Sequence, residues 1–329
     1  MKDDTYDVVI VGGGAAGLSA ALVLGRARRR VVVIDAGAPR NAPAAHMQGF
    51  LSRDGMPPAS LLATGRAEVT GYGVELVSDQ VLSIGPGFVV RLASARTVTA
   101  RRILLATGVG DELPGIPGVR ERWGKDLLHC PYCHGWEVRD QPLGVLGGLP
   151  GSVQHALLVR QWSADVIFFS RTDDLTPAEQ RQLASRGISV VSGEVARLVV
   201  DDDQLTGVEL ADGRVVVRAA VFVRPGNTPH DDGLLAGLGC DLNDAGFPVV
   251  DGTGLTSVPG VWAAGNAADP RAQAITSAGA GSAAAIAINA DLVREDVEHA
   301  IADLAGRPFS AATDARVSDL VPSHRRHGS

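Results

Sequence analysis

Residues 6–37 read YDVVIVGGGAAGLSAALVLGRARRRVVVIDAG, and the order of elements in this stretch indicates an α/β fold. The β-branched run at residues 8–11 is typical of a buried parallel strand. It leads through a glycine turn into an Ala/Leu-rich helix, which is followed by a second apolar strand at residues 31–34. A strand, a helix and a parallel strand in this order form a Rossmann-like βαβ unit.

The three glycines of the turn predict a dinucleotide-binding site. Gly12 permits a tight turn, Gly14 lets the backbone approach a pyrophosphate, and Gly17 allows the helix to pack closely on the strand. Asp35 stands eighteen positions after Gly17, where an acid would bond a ribose hydroxyl. A lone glycine motif is weak evidence, but here strand, glycines, helix, strand and acid occur in order.

Length, charge and hydropathy exclude several other classes of protein. The 329 residues, 45% of them hydrophobic, are enough for about two domains with cores of their own. The net charge is −7 and the basic residues are scattered, so no footprint for nucleic acid is expected. No segment approaches the roughly 20 apolar residues that span a bilayer, and no signal peptide is apparent. We therefore expect a soluble, cytoplasmic protein.

The cysteines favour redox chemistry over a structural role. Three cysteines are too few for a disulfide scaffold, and two of them lie in HCPYCH at 129–134. Zinc needs about four ligands, and His129 and His134 flank the cysteines too closely to match the usual spacing, so a metal site is disfavoured. Cys240 is interpreted as an inert core thiol. A redox pair at Cys130 and Cys133 requires an electron partner elsewhere in the chain.

Two further segments identify a family resemblance. RRILLATG at 101–108 and GVWAAGNAADPRAQAITSAGAGSAAAIAIN at 260–289, together with the N-terminal motif, resemble the low-molecular-weight thioredoxin reductases over nearly the whole chain. The resemblance implies two Rossmann-like dinucleotide-binding domains, each a three-layer ββα unit, and FAD as cofactor. The expected FAD contacts are Gly12, Gly14, Ala15, Ala16, Gly17, Asp35, Ala106, Thr107, Gly108, Gly265, Asn266, Gln273, Ala274 and Ile275. Asn266 replaces the usual aspartate but keeps a hydrogen-bonding oxygen.

The resemblance also predicts the domain organisation. The FAD domain is expected to be discontinuous, comprising residues 1–113 and 228–329, with a frayed tail from about Gly306. Residues 114–227 form an inserted NAD(P)H-type domain that carries the cysteine pair, between the linkers LPGIPG and VRPGNTPH. Within the insert we predict strands at 144–148 and 166–170, a helix at 153–162, and a helix that begins with the capping residues Thr176 and Glu179. A homodimer is expected from the family.

The nicotinamide loop of the insert departs from the family pattern. The loop reads GGLPGS at 147–152, with Leu149 where a glycine is needed and Pro150 after it. The cluster that binds the 2′-phosphate of NADPH is reduced to SRT at 170–172, which leaves Arg171 alone. Binding of NADPH or NADH is therefore doubtful. The alternative is that Gly151 and Ser152 bind an anion in another loop shape, or that NADH is used.

The cysteine motif itself resembles one branch of the family. By resemblance Cys133 lies against the flavin and Cys130 exchanges with substrate. His134 replaces an acidic residue and can accept a proton from a thiol near neutral pH. His129 is a possible second base or a histidine packed at a strand end. The CPYCHG motif resembles the small-molecule dithiol oxidases that close disulfides in natural products such as gliotoxin and holomycin.

The resulting hypothesis is an FAD-dependent dithiol oxidase that forms a disulfide in a small molecule, with O2 as acceptor and H2O2 as product. Two alternatives stay open at this point. One is an NAD(P)H-dependent disulfide reductase that serves a thioredoxin-like protein. The other is a non-catalytic flavin redox sensor.

Overall fold

Two parallel sheets form the framework of the molecule, for which a computed structural model describes residues 4–171, 174–230 and 233–305. The strands are β1 (Thr5–Val11), β2 (Val31–Asp35), β3 (Glu75–Ser78), β4 (Val81–Gly85), β5 (Val89–Leu92), β6 (Thr97–Leu105), β7 (Val109–Glu112), β8 (Leu127–Leu128), β9 (Leu143–Leu146), β10 (Val166–Arg171), β11 (Ser189–Ser192), β12 (Val195–Asp201), β13 (Gln204–Leu210), β14 (Val215–Val217), β15 (Ala220–Val223), β16 (Gly226–Pro229) and β17 (Val261–Ala263). The helices are α1 (Ala15–Arg26), α2 (Pro58–Gly71), α3 (Val119–Arg122), α4 (Pro131–His134), α5 (Ser152–Val159), α6 (Pro177–Ser185), α7 (Leu234–Gly237) and α8 (Ala274–Ala305).

The first sheet contains the N-terminal βαβ unit. Strands β3, β2, β1, β6 and β17 run parallel, and β5 and β4 continue antiparallel from the first half of β6. The register pairs Val8 with Val31 and Ile10 with Leu104. The strands predicted at residues 8–11 and 31–34 are thus found as β1 and β2.

Both faces of the first sheet are covered, which explains why its central strands are apolar throughout. Val8 and Ile10 face one side and are buried among residues of α1 and α8. Val9 and Val11 face the other side and are buried against β4 and β5. Burying a side chain of this size contributes about 1.5–3 kcal/mol. The result is a three-layer ββα unit.

The second sheet repeats this layering. Strands β11, β10, β9, β15 and β8 run parallel. The antiparallel strands β12, β13 and β14 pack on one face, and α5 and α6 pack on the other. The predicted fold class, α/β with two Rossmann-like units, is therefore confirmed.

Local predictions for the insert are met with small shifts at the ends of elements. The strand predicted at 144–148 ends at Leu146, because Gly148 adopts a φ of +88° that begins the turn. The helix predicted at 153–162 is α5, which ends three residues earlier, at Val159. Thr176 and Glu179 form the predicted capping box at the start of α6.

The strands β7 and β16 connect the two units. They pair antiparallel, with Val109 opposite Pro229 and Glu112 opposite Gly226. All strands of the second sheet lie in sequence between these two connecting strands. The domain boundaries at 113/114 and 227/228 stay a prediction, and the tail from Gly306 lies outside the described residues. None of the helices in the described part of the chain is both long and apolar enough to cross a bilayer.

Candidate active site

A cavity of about 700 Å³ lies between the two units and is lined by residues of both. The predicted site residues that line it are Gly12, Gly14, Ala15, Ala16, Asp35, Ala106, Thr107, Gly108, His129, Cys130, Cys133, His134, Asn266, Gln273 and Ala274. Gly17, Gly265 and Ile275 do not line it. One space therefore brings together the glycine turn of the first unit and the cysteine pair of the second.

The two cysteines are joined in a disulfide at one wall of the cavity. Cys130 is the N-cap of the one-turn helix α4, and the backbone N–H groups of Cys133 and His134 donate to its carbonyl oxygen, both at 3.1 Å. Pro131 occupies the first helical position, where its missing N–H costs nothing. A single tight turn thus sets the spacing of the two sulfur atoms.

The disulfide is also in contact with the first unit. The Gln273 side-chain amide nitrogen lies 3.5 Å from the sulfur of Cys133 and 3.9 Å from that of Cys130. Gln273 immediately precedes α8, in the segment that the sequence assigns to the cofactor. The cysteine pair therefore faces the wall of the cavity formed by the first unit, with Cys133 nearer to Gln273.

The glycine turn of the first unit leaves room for a ligand. A Cβ atom at Gly12, whose φ is +105°, would overlap the carbonyl oxygen of Ala106, and one at Gly17 would overlap that of Gly12. A Cβ atom at Gly14 would meet nothing within 4 Å. Gly12 and Gly17 thus allow close packing, whereas Gly14 leaves open space at the N-terminus of α1.

The polar groups around this turn fit a dinucleotide. The hydroxyl of Thr107 is buried and has no hydrogen-bond partner among the described residues. The carboxylate of Asp35 lies at the cavity and pairs with Arg66 at 2.8 Å, a partner that the sequence did not predict. An unpaired buried hydroxyl is rare in folded proteins and indicates a missing partner. The open space, the helix N-terminus and these polar groups therefore fit FAD.

Asn266 has a role that an aspartate could not fill. Its amide nitrogen donates to the carbonyl oxygens of Asp269 and Ala272, both at 2.9 Å. A carboxylate lacks these donors. Asn266 thereby stabilises the turn before α8, and it also lines the cavity.

Gly265 and Ile275 lie beside the cavity rather than in its lining. A Cβ atom at Gly265 would come within 2.8 Å of the Ala16 side chain, so this glycine lets the turn pack on α1. The Ile275 side chain is 37% exposed. Its predicted position beside the flavin ring stays a prediction.

Three histidines near the disulfide are held neutral. Burial lowers the pKa of His129 to about 4, with the positive charge of Arg40 adding to the effect. Burial also lowers the pKa of His134, against the opposing influence of Glu137. His155 on α5 has a pKa of about 4, mainly because it is buried. Neutral imidazoles can accept protons at neutral pH.

The loop before α5, GGLPGS at 147–152, is occupied by side chains of the protein itself. Leu149 packs against the core under β12 and β13, and the Ser152 hydroxyl donates to the Leu149 carbonyl at 2.6 Å. Arg171 donates to the Gly147 carbonyl at 3.1 Å, and a Cβ atom at Gly148 would lie 2.8 Å from its guanidinium. Thr172, the last residue of the SRT segment, lies outside the described residues. Leu149 and the Arg171 guanidinium therefore lie at a loop whose counterpart in the first unit is open at Gly14.

Acidic side chains also line the small cavity at this loop. It has a volume of about 410 Å³, and Asp174 and Glu179 lie in its lining. Negative charges at this position repel phosphate groups.

Sequence reasoning missed several residues of the main cavity. Arg40 forms a two-point ion pair with Asp111, at 2.6 and 2.9 Å, and donates to the carbonyl of Pro270 at 2.7 Å. His155 lies with its Nε2 2.9 Å from the carbonyl oxygen of His129, and Arg224 also lines the cavity. Only Arg224 could have been noticed, because it lies within the predicted linker VRPGNTPH, whereas the other contacts join distant parts of the chain.

A dinucleotide-type cavity with a disulfide on its wall defines the class of dinucleotide-dependent disulfide oxidoreductases. Residues 6–284 match the family described as pyridine nucleotide-disulphide oxidoreductase. The chain belongs to this family and is an oxidoreductase that acts on sulfur groups. The thioredoxin reductases of the family are FAD-binding flavoproteins.

Individual relatives agree with this assignment. The crystal structure of HlmI is 59% identical, with a TM-score of 0.89, and the match covers 92% of this chain and 96% of that one. The thioredoxin reductase sirT of Leptosphaeria maculans is 29% identical over 89% of this chain and 96% of its own length. A probable thioredoxin reductase of Arthroderma benhamiae is 37% identical, but the match spans 50% of this chain and only 43% of that protein. These similarities support the relation to the dithiol oxidases that the CPYCHG motif indicated.

Proposed function

We propose that this protein is an FAD-dependent dithiol oxidase that forms a disulfide in a small molecule, with O2 as electron acceptor and H2O2 as product. One observation carries the proposal. The disulfide faces the cavity that fits FAD, whereas the loop that would bind a nicotinamide nucleotide is filled by Leu149 and Arg171. Electrons for the flavin would then have to come from thiols.

The first unit supplies the residues that would hold FAD. The N-terminus of α1 and the open space at Gly14 would receive the pyrophosphate, and Asp35 would bond a ribose hydroxyl. Thr107, Asn266 and Gln273 would contact the rest of the cofactor. When bound, FAD supplies an acceptor for the electron pair of the reduced cysteines, which dioxygen then takes to give H2O2.

The cysteines would exchange the disulfide with the substrate. A substrate thiolate attacks the sulfur of Cys130, the Cys130–Cys133 bond breaks, and Cys133 leaves as a thiolate. The second substrate thiol loses its proton and attacks the substrate sulfur that is bonded to Cys130. The cyclic product leaves, Cys130 is released as a thiolate, and the two cysteines together hold the electron pair.

His134 is the proposed base for the substrate thiols. It directly follows Cys133 in α4, lines the same cavity, and has a pKa that burial lowers, so its ring is neutral at pH 7. A neutral imidazole can take a thiol proton, and such a base contributes about 10²–10⁴-fold to a rate. His129 is a second candidate, but burial and the charge of Arg40 lower its pKa to about 4, which makes it a weak base.

The names of several relatives favour a second candidate function. They are called thioredoxin reductases, which suggests an NAD(P)H-dependent enzyme with a thioredoxin-like protein as partner. The intact βαβ unit of the insert is compatible with that activity. The acidic lining at Asp174 and Glu179 disfavours it.

An anaerobic titration separates the two functions. The purified protein is mixed with NADPH, NADH or dithiothreitol in separate cuvettes, and the flavin absorbance is followed. Bleaching by the dithiol alone, followed by stoichiometric H2O2 when air is admitted, is the expected result. Rapid bleaching by either nucleotide would overturn the proposal in favour of a reductase. No bleaching by any of the three would favour the redox sensor.

The proposal also covers the localisation and the oligomeric state of the enzyme. We propose a cytoplasmic protein that acts as a homodimer on a small dithiol. Light scattering of the purified protein tests the assembly, and a monomer in solution would contradict it.

A further inference from the structure

Arg224 and Cys130 leave the same edge of the second sheet on neighbouring strands. The parallel strands β15 and β8 pair Val221 with Leu127 and Phe222 with Leu128. Arg224 follows β15 by one residue, and Cys130 follows β8 by two. Adjacent strands lie about 4.8 Å apart, and the carboxyl ends of parallel strands are where α/β proteins bind ligands. The topology therefore places the backbone of Arg224 beside that of Cys130, and both residues line the same cavity.

The charge of Arg224 is not neutralised by the protein. Arg224 is exposed in the cavity wall and makes no hydrogen bond or ion pair with any residue in the described ranges. The two other arginines of the cavity are paired, Arg40 with Asp111 and Arg271 with Asp269. Arg224 is thus the cavity arginine that retains its capacity to bind an anion.

The altered nucleotide loop lies against this side chain. Gly151 has a φ of +81°, and a Cβ atom there would overlap the Arg224 guanidinium. The space beside Gly151 that a phosphate would use is therefore taken by the arginine.

The other charged and titratable groups around Cys130 add little charge of their own. They are His129, Tyr132 and His134 from the segment of the disulfide, His155 from α5, the Arg40–Asp111 pair, and His230 after β16. His129, His134 and His155 have lowered pKa values and are neutral at pH 7. Arg224 contributes to the lowering for His129 and His155, so its charge reaches the start of the disulfide segment.

We propose that Arg224 binds the reacting thiolate of the substrate beside Cys130 and is a catalytic residue of the dithiol site. This inference rests on the proposed dithiol oxidation. The proton of the thiol passes to His134, the negative charge on sulfur is stabilised by the guanidinium, and the thiolate then attacks Cys130 as Cys133 leaves. When the product departs, the same guanidinium stabilises the thiolate of Cys130.

The test compares Arg224→Met, which removes the charge, with Arg224→Lys, which keeps it. Arg271→Met is the matched control, because Arg271 lines the cavity but is paired with Asp269. Flavin bleaching by dithiothreitol is measured from about pH 6 to pH 10, a range that spans the usual pKa of a thiol near 8.5. We expect Arg224→Met to react about 10-fold more slowly at neutral pH and to approach the wild-type rate at high pH. Arg224→Lys should keep most of the rate, and Arg271→Met should follow the wild-type profile.

A second measurement does not depend on the flavin. In a Cys133→Ser background, alkylation of Cys130 by iodoacetamide as a function of pH gives the pKa of the Cys130 thiol. Arg224→Met should raise this pKa by about one unit, and Gly151→Ala should raise it by less, because it displaces the guanidinium without removing it.

The outcomes separate this inference from the proposed function. A uniform loss of rate at all pH values, or an unchanged Cys130 pKa, would overturn the role of Arg224 even if the wild type oxidises dithiols. A wild type that no dithiol reduces would overturn the proposed function, whereas the alkylation result would still decide whether Arg224 stabilises a thiolate.

Discussion

The two units have the same layering, yet their phosphate loops differ in what occupies the space above the helix. In the loop before α1, a side chain at Gly14 would enter open space, and the hydroxyl of Thr107 has no partner in the part of the chain that the structure describes. In the loop before α5, Leu149 packs into the core, and the guanidinium groups of Arg171 and Arg224 lie against the glycines. The same backbone architecture therefore carries an open loop in one unit and a loop occupied by larger side chains in the other, and under the proposed function these side chains decide which unit holds a dinucleotide.

The difference gives the second unit another use. Its sheet carries the disulfide after β8, and Arg224, whose guanidinium lies against Gly151 of the altered loop, lines the same cavity as that disulfide. Under the proposed function the second unit is the wall of a thiol site.

Replacing Cys133 with Ser should have the largest effect. The variant cannot form the disulfide with Cys130, so dithiols should bleach the flavin more than about 10³-fold more slowly. The proposed FAD site lies in the other unit, and the protein should therefore remain yellow. The measurement is stopped-flow absorbance with dithiothreitol under anaerobic conditions.

Cys240→Ser serves as the matched control, because Cys240 is buried in the first unit away from the cavity. It should reduce at the wild-type rate. Rapid bleaching of the Cys133→Ser protein would mean that thiols reduce the flavin directly, and the second unit would lose its assigned role.

Gly14→Leu tests the contrast from the side of the first unit. It introduces at the open loop the residue type that stands at position 149 in the filled loop. The side chain would enter the space left for the pyrophosphate, and FAD affinity should fall about 100-fold, which corresponds to ~2.8 kcal/mol. The flavin content of the purified protein and a fluorescence titration with FAD measure this loss. A variant that is folded by circular dichroism and retains wild-type FAD affinity would show that the pyrophosphate lies elsewhere.

Much of the fold followed from sequence periodicity and glycine placement. The apolar runs at residues 8–11 and 31–34 predicted parallel strands because both faces of such a sheet are buried. The capping residues Thr176 and Glu179 located the start of α6, since a capping box depends on local contacts. Ends of elements were less accurate, as at Leu146, where the following glycines turn the chain early.

Only part of the candidate site could be predicted from the sequence. The cysteines and the glycine turns were found because their spacing carries chemistry in a short stretch. The contacts of Gln273 with the disulfide, of Arg40 with Asp111 and of Arg224 with Gly151 join residues more than 70 positions apart. Such contacts depend on tertiary packing, which no local pattern reports.

Removing the large side chains from the loop before α5 should improve nucleotide affinity, by a smaller factor than the losses predicted above. In the double variant Leu149→Gly with Arg171→Ala, both obstructing side chains are removed, but the acidic lining and Pro150 remain. We expect NADH and NADPH affinity to improve about 10-fold, or ~1.4 kcal/mol, as measured by calorimetric titration. Each single variant should improve affinity less than the double variant does. A wild-type protein that already binds either nucleotide tightly would refute the contrast between the two loops.

The smallest effect concerns the charge near His134. Glu137 raises the pKa of His134 against the lowering by burial, so Glu137→Gln should lower that pKa further. The proposed reaction needs the neutral ring, and its rate falls as the pH drops through this pKa. The acid limb of the pH profile for flavin reduction should therefore move to lower pH in Glu137→Gln, by a few tenths of a unit, because Glu137 is exposed and its field is screened. Asp140→Asn removes a nearby exposed charge that does not act on His134 and should leave the limb in place. A shift to higher pH, or an acid limb that persists in His134→Ala, would assign the titration to another group and leave the thiol wall without its proposed base.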